Sequence, residues 1–141
     1  MKANKPDIII GIDTGTKTGF AVWDTELGKL VCVDTLKLHE AFTRVLDWRA
    51  KYPRMLVRFE DARLRKFYGH AGREKLQGAG SIKRDAVIWE EFLSDYKIEF
   101  EAVAPKNNMT KINAEAFRNL TGYSLSTTQH SRDAAFLVFG Y

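Results

Sequence analysis

Apolar positions along the chain follow two rhythms. "DIIIGID" (7–13) is a continuous, largely β-branched run, the pattern of a central strand buried on both faces. "TGFAVWD" (18–24) predicts a second strand, "TELG" (25–28) a turn, and the alternating "KLVCVDTLKL" (29–38) a third strand. Connections this short imply an antiparallel meander. The rhythm then changes. Phe42, Val45, Leu46 and Trp48 or Arg49 recur at helical spacing within 39–52, and Pro53 stops the helix. "RMLVRFED" (54–61) predicts a fourth strand. A strand reached through a helix of that length implies a right-handed crossover, parallel to the first strand.

Gly69, Gly72 and a scarcity of apolar residues predict a loop over 62–72. A long helical region follows over 73–96, with an apolar face of Ile82, Val87, Ile88, Phe92 and Leu93. Gly78 and Gly80 near its start permit close approach of another backbone or mark a break. "KIEFEAVA" (97–104) predicts the fifth strand, 110–122 a helix ending at Gly122, and 128–141 the last helix. The order β-β-β-α-β-α-β-α-α predicts an α/β fold. Its sheet is mixed and five-stranded, three strands antiparallel and two more added in parallel through helical crossovers, with helices on both faces.

The length of 141 residues fits a single domain over 1–141, with 1–6 as a short polar tail. A composition 45% hydrophobic and 28% charged excludes a disordered chain, and no apolar run nears the ~20 residues of a membrane span. The polar start "MKANKP" is unlike a signal peptide. The single cysteine, Cys32, rules out an internal disulfide and points to a reducing, cytoplasmic compartment. A net charge of +4 is modest, so its distribution matters more. In "RMLVRFEDARLRKFYGHAGREK" (54–75), basic residues surround the acidic pair Glu60–Asp61. That is either a solvated loop or a phosphate-binding surface beside a metal site.

Candidate chemistry sits at element ends. Asp13 closes the first strand, Glu60 and Asp61 close the fourth, and His130 and Asp133 lie three apart on one face of the last helix. Adjacent, parallel first and fourth strands would bring Asp13 and Glu60 to one edge, where ligands of such sheets gather. The last helix laid across that edge would add His130 and Asp133. Clustered carboxylates with one imidazole suit Mg²⁺ or Mn²⁺. Two such ions, roughly 3.5–4 Å apart, would clamp a phosphodiester for attack by water. Each residue also has a plainer reading: Asp13 as a turn residue, Glu60 as an exposed strand end, His130 as a surface residue, Asp133 as a partner of the helix dipole. On a regular strand Asp61 faces away from Glu60.

These motifs resemble the RuvC family of Holliday-junction resolvases, within the ribonuclease H-like superfamily. "GIDTGTKTGFAV" is similar to the family's first motif, with Thr14 where Pro is more usual. "VRFEDAR" resembles the second motif, "GAGSIKRDAVIWEEF" the helix of the dimer interface, "VAPKNNMTK" the basic segment near DNA, and "HSRDAAF" the last motif. The likeness runs in order over about residues 7–139. The chain is shorter than cellular members between Pro105 and His130, resembling compact viral or mobile-element versions.

The resemblance implies a homodimeric endonuclease making paired nicks in a four-way DNA junction. It carries over a metal set of Asp13, Glu60, His130 and Asp133, with His130 as ligand or general base. It implies Lys106 or Lys111 near the scissile phosphate, where a lysine offsets transition-state charge. Arg63, Arg65, Lys66 and Arg73, with Lys83 and Arg84 on the following helix, become DNA contacts. Phe67 or Tyr68 would stack on an unpaired base, or pack on its own domain. No membrane and no nucleotide cofactor are expected. Three rivals stand beside it: another ribonuclease H-like nuclease acting on RNA or other branched DNA, a non-catalytic DNA-binding module, and an ATPase. "GIDTGTKTG" also resembles the first phosphate loop of actin-like and sugar-kinase ATPases. Those proteins need two such domains and a second glycine-rich loop, which this chain lacks.

Overall fold

The computed structural model describes residues 5–64, 73–105 and 111–141, without the side chains of 73–79, 81 and 82. Five strands, β1 (Ile8–Asp13), β2 (Lys17–Asp24), β3 (Lys29–Lys37), β4 (Met55–Glu60) and β5 (Glu99–Val103), form one sheet in the order β3-β2-β1-β4-β5. β1, β2 and β3 pair antiparallel, whereas β4 pairs parallel to β1 and β5 parallel to β4. The α/β architecture and mixed sheet therefore match the sequence reading.

The helices are α1 (Leu38–Lys51), α2 (Arg73–Asp95), α3 (Ala114–Thr121) and α4 (Gln129–Phe136). They divide between the two faces because side chains alternate along each strand. Ile8, Ile10 and Ile12 of β1, with Met55, Val57 and Phe59 of β4, pack against Ala41 and Val45 of α1 and Ala86, Trp89 and Leu93 of α2. Ile9 of β1 and Ala21 and Trp23 of β2 face the other way, onto Phe117 of α3 and Ala134, Ala135 and Val138 at and beyond the end of α4. The first-strand run is apolar on both sides because both sides are covered.

Three expectations change. The last helix stops at Phe136 rather than 141. Beyond it the chain turns back on the sheet, where Phe139 meets Trp23 edge-on at 5.4 Å and Trp23 Nε1 donates to the Tyr141 carbonyl at 2.6 Å. α3 begins at Ala114, because Asn113 caps it: its side chain accepts from Ala116 N at 2.8 Å. Gly122, in the left-handed region at φ 78°, ends it as expected. On α2 the inward residues are Ala86, Trp89 and Leu93, at helical spacing, while Val87 faces solvent. Trp48 rather than Arg49 packs against the core from α1. Past β4, Ala62–Leu64 forms a single 3-10 turn. Gly69, Gly72 and the rest of 65–72 lie outside the described residues, as do the side-chain environments of Gly78 and Ile82.

Candidate active site

β1 and β4 run side by side in register from Ile8↔Met55 to Ile12↔Phe59. One step further on lie Asp13 and Glu60, at the carboxyl ends of adjacent parallel strands. Both belong to the alternation that faces α4: Asp13 follows Ile9 and Gly11, and Glu60 follows Leu56 and Arg58, whose Nε donates to the Leu137 carbonyl at 2.8 Å.

α4 lies unusually close to this edge, and two glycines allow it. A Cβ on Gly19 would stand 2.0 Å from the His130 carbonyl oxygen, and one on Gly11 2.2 Å from that of Ala134. The sequence explains Gly11 and Gly19 only once the helix is seen to cross them. The start of α4 is fixed separately. Thr128 caps it, accepting from Ser131 N at 3.2 Å, and bonds through its hydroxyl to Thr35 on β3.

So placed, α4 delivers His130 to Asp13, Nδ1 to Oδ2 at 3.1 Å. Asp133, one turn on, accepts from Gln129 Nε2 at 2.8 Å and from Lys111 Nζ at 2.7 Å. Lys111 reaches it because the buried Arg132 holds the neighbouring segment, donating from Nε to the Ile112 carbonyl at 3.0 Å and from its terminal nitrogen to Thr127 Oγ1 at 2.9 Å. Gln129 and Arg132 were not singled out from the sequence. The i, i+4 spacing of Gln129 to Asp133 was a usable signal for the first; nothing local signalled the second.

Three of the four expected residues are thus drawn to one edge in two pairs, Asp13–His130 and Asp133–Lys111, and Glu60 ends the adjacent strand. Among the described residues, no three His, Cys, Asp or Glu side chains stand together as a metal-binding group. The pairs still sense each other. Burial raises the pKa of Asp13; the His130 bond opposes that, the Asp133 charge adds to it, and Lys111 lowers it. The bond to Asp133 raises the pKa of Lys111, and the charges of Asp13 and Glu60 raise it further. Lys111 is therefore the positive pole of a cluster that includes Glu60.

Asp61 has a different task. It is 1% exposed and turned toward α2. Its carboxylate takes Arg63 N at 2.9 Å and the Arg63 guanidinium at 2.8–3.1 Å, and Arg63 also pairs with Glu90 of α2. Arg63, expected on phosphate, pairs with these two acids while its side chain stays 34% exposed, because a buried carboxylate demands a counter-charge. Lys83 and Arg84 are exposed on α2. Arg65, Lys66, Phe67, Tyr68 and Lys106, and the side chain of Arg73, lie outside the described residues.

Fold and site together define an α/β domain with an acid–imidazole–lysine cluster beyond the carboxyl ends of two adjacent parallel strands. No protein-family model matches the chain, and no curated protein matches it significantly. Among the described residues, no helix is long and apolar enough to cross a membrane.

Proposed function

We propose that this chain is a metal-dependent, structure-selective endonuclease of the RuvC type, with a ribonuclease H-like fold, that nicks four-way DNA junctions. One observation carries the reading. Three segments distant in sequence bring Asp13, Glu60, His130 and Asp133 to one sheet edge, with Asp13 on His130, Asp133 on Lys111, and the charge of Glu60 also felt by Lys111. Burial of a carboxylate such as Asp13 costs stability when it is ionised, and acids held at that cost cluster at functional sites. The strand order supports the ribonuclease H-like assignment.

The donor set of three carboxylates and one imidazole fits Mg²⁺ or Mn²⁺. The Lys111 ammonium already stands against Asp133 as a cation in that cluster. Asp13, Glu60, His130 and Asp133 would hold the metal, which supplies water activation and charge stabilisation at the leaving oxygen. Asp13 orients the His130 ring through Nδ1 and leaves Nε2 as the other face of the imidazole. Lys111 offsets charge at the edge a phosphodiester would approach. Lys83 and Arg84 are available for phosphate, and a second copy of the chain would present the matching site across a two-fold axis.

The test is a synthetic four-way junction incubated with pure protein in Mg²⁺, in Mn²⁺ and in EDTA. Paired nicks are expected with either metal, with little cleavage of linear duplex and none in EDTA. Intact junction in all three would overturn the proposal; cleavage of RNA or of other branched DNA alone would move the chain to a related nuclease. Calorimetry with ATP should show no heat of binding.

A further inference from the structure

We propose that Lys111 is a built-in counter-cation for the carboxylate cluster, and that a divalent ion must displace its ammonium from Asp133 to bind. The inference rests on the metal-centre reading above and concerns how that centre is loaded.

The two oxygens of Asp133 are held differently. Oδ1 takes the neutral amide of Gln129 from its own helix, and Oδ2 takes the Lys111 ammonium at 2.7 Å. The partners also differ in freedom. The Asp133 side chain is 15% exposed and fixed on α4, whereas the Lys111 side chain is 64% exposed. Lysine can therefore swing into solvent with no rearrangement of the fold, while the carboxylate stays.

A divalent ion binds carboxylate oxygen at ~2.0–2.6 Å. An ammonium hydrogen-bonded to the same oxygen would be its immediate neighbour, and two cations at that separation repel strongly in a half-buried site. Asp133 Oδ2 thus serves one cation at a time. Lys111 also balances acids that would otherwise repel, since its ammonium feels Asp13 and Glu60 as well as Asp133. Loading would free the same ammonium at the edge where a phosphate would lie.

Two measurements on the full chain test this. The first is Mn²⁺ calorimetry on wild type, Lys111→Gln and Lys111→Arg. Removing the competitor should tighten Mn²⁺ binding about two- to fivefold in Lys111→Gln, as expected for one mostly exposed ion pair. Lys111→Arg should stay near wild type. The second needs no substitution. Acylation of Lys111 by an amine-reactive reagent, read by mass spectrometry, should accelerate when Mg²⁺ is added to wild type. Wild type and Lys111→Gln binding Mn²⁺ equally, or a labelling rate indifferent to Mg²⁺ in a protein that binds Mn²⁺, would overturn the displacement and leave the metal centre standing. Absence of Mn²⁺ binding in both proteins would remove the metal centre, and the displacement with it.

Discussion

Glu60 and Asp61 are neighbours in sequence, but the alternation of β4 sends them to opposite faces of the sheet. Glu60 joins Asp13 on the α4 side; Asp61 is buried on the α2 side under the guanidinium of Arg63. The sequence showed an acidic pair inside a basic stretch and left the role of Asp61 open. The structure makes it a structural acid. Asp61→Asn would keep the shape and lose the charge-assisted bonds, at a cost of about 2 kcal/mol, because Arg63 remains partly solvated. The bond to Arg63 lowers the Asp61 pKa from its ordinary 3.8. A depressed carboxylate contributes stability that is fully present above its unfolded pKa and lost as pH falls through the folded value. The gap between wild type and Asp61→Asn should therefore hold steady from pH 7 to about 5 and close below about 4. Urea unfolding at pH 7, 5 and 3 checks this; a gap that widens toward acid would contradict it.

At the scale of elements, the site is made by how closely α4 lies on β1 and β2. The strands and most helices were legible from periodicity, as were the ends carrying Asp13, Glu60, His130 and Asp133. The close approach was not, because it depends on which helix crosses which strand. The carbonyl that Gly19 admits belongs to His130 on α4. Gly19→Ala must push that carbonyl away, so it should destabilise the fold by about 2–3 kcal/mol and shift His130 off Asp13. Thermal unfolding reads the first effect, and the His130 ring resonances in NMR the second. Gly80 is the contrast. It lies inside the continuous helix α2, and among the described residues nothing stands within 4 Å of a Cβ placed there. Gly80→Ala should stabilise the chain by roughly 0.5–1 kcal/mol through helix propensity alone. A loss of stability instead would contradict an open position there.

For the whole molecule, the division of labour among acids predicts which substitutions separate folding from chemistry. Burial raises the Asp13 pKa despite the His130 bond. For an acid with a raised folded pKa, the stabilising contribution belongs to the protonated form and is lost as pH rises through that value. Wherever Asp13 is ionised, its charge is therefore a burden on the fold. Asp13→Asn removes the charge and keeps a hydrogen-bonding side chain against His130. In EDTA at pH 7 its unfolding midpoint should equal wild type or exceed it by about 1–3 °C. The same variant, and Glu60→Gln, should lose junction cleavage by at least about a hundredfold while binding the junction as tightly as wild type. Binding by all three proteins should weaken steeply between about 50 and 200 mM salt, because phosphate contacts release counterions and the acids make none of them. Cleavage gels, gel-shift titrations in EDTA and melting curves measure the three quantities. An Asp13→Asn protein that unfolds well below wild type would make Asp13 a structural turn residue and take away the partner on which the whole cluster depends. A folded Asp13→Asn protein that still nicks the junction at the wild-type rate would place the chemistry elsewhere on the molecule.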